Sequence, residues 1–183
     1  MTLPLIITDL DFTPDCNLYE HIVSQHLKNH YTLNGHNFKI EETKNRDLDR
    51  LYQAALDKAR TIFTSLELLS NNSRSCWAYV SNKDFNRNYI HHHIKTSVIN
   101  MVYYLYSPKT ENYRDGAIAI YKKDEKESEI FSYKPRTGDL LIMPSWLLHS
   151  PLCTQSEEHR VAVNMEIMCS YNPYHLIFSL NLL

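Results

Sequence analysis

Glycine is scarce in this chain: three residues of 183, Gly35, Gly116 and Gly138, which rules out a glycine-patterned fibrous repeat. Cysteine is also sparse. The four cysteines, Cys16, Cys76, Cys153 and Cys169, lie far apart with no CxxC pair, so neither a disulfide framework nor a redox motif is expected. No apolar run approaches the ~18–20 residues that a membrane span needs. The short Leu3 to Ile7 stretch has no basic flank, so no secretory leader is read, and a reduced, soluble, cytoplasmic protein is expected. Charge of one sign is missing too: 19 basic against 21 acidic residues leave a net charge of −2, which disfavours nucleic acid as a partner.

What is present is an ordinary globular composition, 43% hydrophobic and 22% charged. The length suits one domain, residues 1–183, since domains run to about 100–200 residues. Within it, residues 1–75 read as a helical support. Leu51, Ala55, Ala59, Ile62, Phe63 and Leu66 recur at intervals of three and four, which predicts a helix from about Asp47 to Leu68. A weaker pattern, Leu18, Ile22, Val23 and Leu27, follows Asp15 as N-cap and predicts a helix ending near His30. From residue 76 onward the period becomes two. Cys76–Ser81, Ser97–Tyr106, Ala117–Tyr121, Glu129–Tyr133, Asp139–Met143, Arg160–Ile167 and His175–Leu180 read as strands. The expected fold class is therefore an all-β core with flanking helices (α+β), a sandwich or jelly roll braced by the N-terminal helices. The mixed-sign run from Lys122 to Glu129 reads as a solvated hairpin tip.

Ten histidines form the informative excess. His91, His92 and His93 are consecutive, and in an extended segment alternation sends His91 and His93 to one face and His92 to the other. Counting back from Tyr103 and Tyr104 also allows a register of His92 and Ile94, but Ile94 cannot bind a metal. His149, just beyond the Asp139–Met143 strand, can bring a third imidazole. Imidazole suits Fe, Zn, Cu and Ni, and three protein ligands leave coordination positions open. The plainer reading of a three-histidine run is a solvated patch. The scattered His21, His26, His30 and His36 read as surface or helix residues. Arg160 opens a strand whose one face is Arg160, Ala162, Asn164 and Glu166, the other face being Val161, Val163, Met165 and Ile167. An inward-pointing arginine needs an anion, either a bound carboxylate or a structural Asp or Glu.

The stretch from Trp77 to Ile167 resembles the iron and 2-oxoglutarate-dependent oxygenase superfamily, in particular a group with an HxH, a Tyr-Tyr-Leu strand, a Pro-Ser-Trp-Leu-x-His element and a closing Arg. The residues that carry the resemblance are His91, His92 and His93; Tyr103, Tyr104 and Leu105; Gly138 and Asp139; Pro144 to His149; and Arg160. It implies a double-stranded β-helix of cupin-like form, with Fe(II) held by His91, His93 and His149. It also implies 2-oxoglutarate chelating that iron, with Arg160 on its distal carboxylate, Tyr104 donating to the same group and Asn164 assisting. The implied reaction is hydroxylation of a small-molecule or peptide substrate by O2, with oxidative decarboxylation of 2-oxoglutarate to succinate. Two departures stand out: the superfamily's usual HxD or HxE is HxH here, and Ala162 occupies a position where many relatives carry Ser. His93 is bulky and can coordinate, which argues against a halide site. Two other readings compete: a cupin-type three-histidine dioxygenase without 2-oxoglutarate, and a non-catalytic jelly-roll binding protein. The N-terminal helices and the loops at Lys83–Tyr89 and Pro108–Asp115 are expected to shape the entrance, and Lys83, Arg87, Lys95 and Arg114 are candidates for a local basic patch.

Overall fold

Nine strands and two helices make up the described residues of the computed structural model, which are 5–15, 17–28, 36–39, 45–62, 74–84, 89–94, 97–122 and 128–167. In chain order they are β1 (Ile6–Asp9), α1 (Leu18–Lys28), β2 (His36–Lys39), α2 (Arg46–Ile62), β3 (Arg74–Ser81), β4 (Ile99–Tyr106), β5 (Ile118–Tyr121), β6 (Glu129–Tyr133), β7 (Asp139–Pro144), β8 (Leu148–Pro151) and β9 (Arg160–Ile167). They form a six-stranded sheet ordered β1-β7-β4-β9-β3-β2 and a three-stranded sheet ordered β6-β5-β8. All named pairings are antiparallel.

The helix starts follow local chemistry. Asn45 caps α2 by accepting the Asp47 N–H on its side-chain oxygen at 2.9 Å. Asp15 accepts the Leu18 N–H on its carbonyl, and its own N–H donates to Asp47 Oδ2 at 2.8 Å, tying the two helix starts together. The apolar stripe of α2, Leu48, Leu51, Ala55, Leu56 and Ala59, is buried as its periodicity requires. Together with Leu18 and Ile22 of α1 it covers one face of the large sheet, against Ile99, Met101, Tyr103, Leu140, Ile142, Val163 and Met165. Each such aliphatic side chain contributes about 1.5–3 kcal/mol on full burial. Tyr52 fixes the helix to the sheet by donating its hydroxyl to the Glu166 carbonyl at 3.1 Å.

The opposite face of the same sheet carries Val102, Tyr104, Leu141, Met143 and Ala162, packed against Ile118, Ile120 and Leu147 from the side of the small sheet. The large sheet is thus buried on both sides. That explains why β4 and β7 read as almost unbroken apolar runs.

Several expectations shift in position. The N-terminal segment is not purely helical, because β1 and β2 extend both edges of the large sheet. Four-residue strands carry little alternation, and of the four here only β5 was legible. His21 and His26 lie on helix α1 as expected, His26 buried at 2% exposure, whereas His36 begins β2. His149 lies inside a strand, β8, rather than beyond one. The stretches 63–68 and 175–180 fall outside the described residues. Strands β5 and β6 form a hairpin, and the tip between them, 123–127, is likewise outside. Among the described residues no helix is long and apolar enough to cross a membrane, and neither Cys76 nor Cys153 is placed in a disulfide.

Candidate metal centre

The HxH segment is held by backbone bonds before any side chain acts. His91 and His149 exchange both N–H···O=C bonds at 3.0 Å, forming an antiparallel bridge on the free edge of β8. His93 N–H donates to the Ser145 carbonyl at 2.7 Å. Residues directly opposite in such a bridge project to the same side. The pleat then sends His91 and His93 to one face and leaves His92 exposed on the other. One nitrogen from each of His91, His93 and His149 lies within 4.8 Å of the others. The ring centroids are 4.4 Å apart for His91 and His149, 5.0 Å for His91 and His93, and 5.2 Å for His93 and His149.

The second nitrogen of each ring has an acceptor. His91 Nδ1 lies 3.1 Å from the Tyr89 carbonyl, His149 Nδ1 is 2.8 Å from the Leu147 carbonyl, and His93 Nδ1 is 2.7 Å from Glu166 Oε1. An acceptor at Nδ1 keeps the proton there and leaves Nε2 as the lone-pair donor. Burial, and then the neighbouring His91, hold His149 down at about 3, so its ring is neutral at physiological pH. Three imidazoles with their Nδ1 atoms held by the surrounding backbone and one carboxylate fit a divalent transition ion.

Arg160 sits in the same cavity at 1% exposure. Its Nε donates to Ser81 Oγ at 3.2 Å, its Nη1 donates to the Gly116 carbonyl, and the guanidinium carbon lies 5.5 Å from the Tyr79 ring centroid. Among the described residues no carboxylate pairs with it. A buried guanidinium held only by neutral acceptors is a site for an anion. Tyr104, 3% exposed, lines the cavity nearby, and burial pushes its hydroxyl up to about 12 despite the opposing field of Arg160, so it stays a hydrogen-bond donor. Asn164 lines the same wall, two residues from Ala162.

All six residues singled out in the sequence, His91, His93, His149, Arg160, Tyr104 and Asn164, line this one cavity. Three supporting groups were not foreseen: Ser81 and Gly116, which hold Arg160, and Glu166, which holds His93. Glu166 was visible in principle, since alternation from Arg160 places it on the cavity face. The loop prediction is half right. Tyr89 lines the cavity, whereas nothing from Pro108 to Asp115 does. That loop is drawn outward by Arg114, which pairs with Glu129 at 2.7 Å, and by Lys134, whose ammonium donates to the Thr110 and Asn112 carbonyls. The sequence-read basic patch also dissolves for its two described members: Lys83 pairs with Glu157 at 2.6 Å and Arg114 with Glu129.

Comparison with known proteins identifies a family and a fold. Residues 75–166 match the family described as "Putative 2OG-Fe(II) oxygenase". No curated protein matches the chain by sequence. Among solved structures, a prolyl-4-hydroxylase from Pseudomonas putida aligns with a TM-score of 0.66 at 16% identity, covering 92% of this chain and 94% of its own. A Trichoplax adhaerens prolyl hydroxylase, solved in complex with a hypoxia inducible factor peptide fragment, aligns with a TM-score of 0.60 at 13% identity, covering 95% and 87%. HygX from Streptomyces hygroscopicus, solved with nickel and 2-oxoglutarate, gives a TM-score of 0.61 at 12% identity, covering 93% and 84%. At these identities the likeness is one of fold, the double-stranded β-helix.

Proposed function

The chain belongs to the 2OG-Fe(II) oxygenase family, and we propose that it is a hydroxylase in which His91, His93 and His149 hold Fe(II) while Arg160, Tyr104 and Asn164 bind 2-oxoglutarate. The observation that carries this reading is the convergence of three imidazoles and one buried guanidinium, with no carboxylate partner among the described residues, on a single cavity. The bound ion, with O2 and 2-oxoglutarate, supplies the oxidation: the keto acid loses CO2 to become succinate as a substrate C–H bond becomes C–OH.

The protein's part is binding and orientation. Arg160 presents its guanidinium to the distal carboxylate, pre-positioned by Ser81, the Gly116 carbonyl and the Tyr79 ring, so little side-chain freedom is lost on binding. Tyr104 donates its hydroxyl to the same carboxylate, and the Asn164 amide adds a neutral donor. The apolar wall of Val102, Ile118 and Ala162 excludes water and strengthens these contacts. Prolyl hydroxylases share the fold, and one was solved with a peptide, which supports a peptide or a small molecule as substrate.

The test is oxygen consumption and succinate formation by protein loaded with Fe(II) under anaerobic conditions, then given 2-oxoglutarate and air. Stoichiometric iron uptake with coupled succinate release supports the proposal. Oxygen consumption without succinate would favour the three-histidine dioxygenase reading, and no iron uptake would favour a binding protein.

A further inference from the structure

The acidic residue missing from the metal-binding motif is present behind the cavity wall, one imidazole further out. Relatives with HxD or HxE place a carboxylate on the ion at the position that His93 occupies here. Glu166 lies on the cavity face of β9, its side chain 4% exposed, with Oε1 at 2.7 Å from His93 Nδ1. The other two imidazoles meet neutral acceptors, the Tyr89 and Leu147 carbonyls, each two residues earlier in the chain. The carboxylate therefore backs the very ring that replaced one.

We infer that Glu166 is the charge-compensating carboxylate of this metal centre, acting through His93 instead of binding the ion. The inference rests on the proposed function and adds a positioning residue to it. The charges balance. An ion of charge +2 and Arg160 at +1 face the 2-oxoglutarate dianion and Glu166, the same neutral total that a directly bound carboxylate would give. A carboxylate at Nδ1 also makes Nε2 a stronger donor than a carbonyl does, and it fixes the ring's orientation. The burial of Glu166 has its reason in the same pairing, since an acid at such depth is costly unless positive charge lies close by.

The experiment uses Mn(II) as an inert probe and measures two constants, for Mn(II) on the apoprotein and for 2-oxoglutarate on the Mn(II)-saturated protein. Glu166→Gln keeps shape and an acceptor but removes the charge. Mn(II) affinity is expected to fall roughly 10- to 100-fold, with 2-oxoglutarate binding not weakened, because the centre has become more cationic. Glu166→Asp keeps the charge with poorer reach and should lose less Mn(II) affinity than Glu166→Gln. Equal Mn(II) binding by wild type and Glu166→Gln, parallel weakening of both constants, or an Asp variant as poor as the Gln variant overturns the assignment. If the wild type itself binds no Mn(II), the metal-centre reading falls, and this one with it.

Discussion

Replacing Arg160 by Met tests the anion pocket directly, because it removes charge and donors while keeping a long side chain. Arg160 is 1% exposed, so its interaction with a bound carboxylate is barely screened by water. Removing one partner of a buried, hydrogen-bonded charge pair costs about 2–5 kcal/mol. At 1.4 kcal/mol per factor of ten, 2-oxoglutarate affinity should fall roughly 30- to 4,000-fold. The apoprotein should respond differently. Losing the hydrogen bonds to Ser81 Oγ and the Gly116 carbonyl costs about 1.5–3 kcal/mol each, and removing a buried cation that has no carboxylate partner among the described residues offsets several kcal/mol of desolvation. The urea midpoint of the apoprotein should therefore move little. The assay is calorimetric titration of Mn(II)-loaded protein with 2-oxoglutarate and with a keto acid that lacks the distal carboxylate. Wild type should prefer 2-oxoglutarate strongly, and Arg160→Met should bind the two alike. If Arg160→Met retains that preference, or weakens both ligands equally while destabilising the fold, Arg160 is a structural residue and the reasoning is wrong.

Three further outcomes follow from the same geometry. His149→Ala should lose Mn(II) binding by more than the roughly 100-fold seen for groups that merely hold a ligand in place, with the far-UV circular dichroism unchanged. Gly138 has φ of +94°, and a Cβ there would meet nothing within 4 Å, so Gly138→Ala should cost backbone strain alone, about 1–3 kcal/mol in urea unfolding. The Tyr104 hydroxyl sits at about 12 in the folded protein against 10.0 for an ordinary tyrosine. Between those values the unfolded chain has lost a proton that the folded one keeps, so stability falls as pH rises through this window. Tyr104→Phe should make that fall shallower, as followed by unfolding midpoints between pH 9 and 12, and an unchanged slope would contradict the burial argument.

Much of this was legible in residue order. The stripe of α2 and the alternation of β9 are periodic over many residues, so local pattern and tertiary burial agree there. The short strands β1, β2 and β8 were not legible, since four residues hold little pattern and each owes its extended form to the hydrogen bonds of a neighbouring strand. Which histidines and which arginine to suspect came from the sequence, because imidazole and guanidinium chemistry is a property of residue type and spacing.

What those residues face was decided by the fold. The bridge between His91 and His149 joins positions 58 residues apart in the chain, and the partner of His93 comes from β9, 73 residues downstream. No local periodicity encodes such pairings, because they arise from strands closing around a shared interior. Residue type and alternation pointed to a candidate metal-binding face and to an inward arginine. Only the packing of one sheet against the other determined that they share a cavity and that Glu166 stands behind the imidazole where a carboxylate was missing.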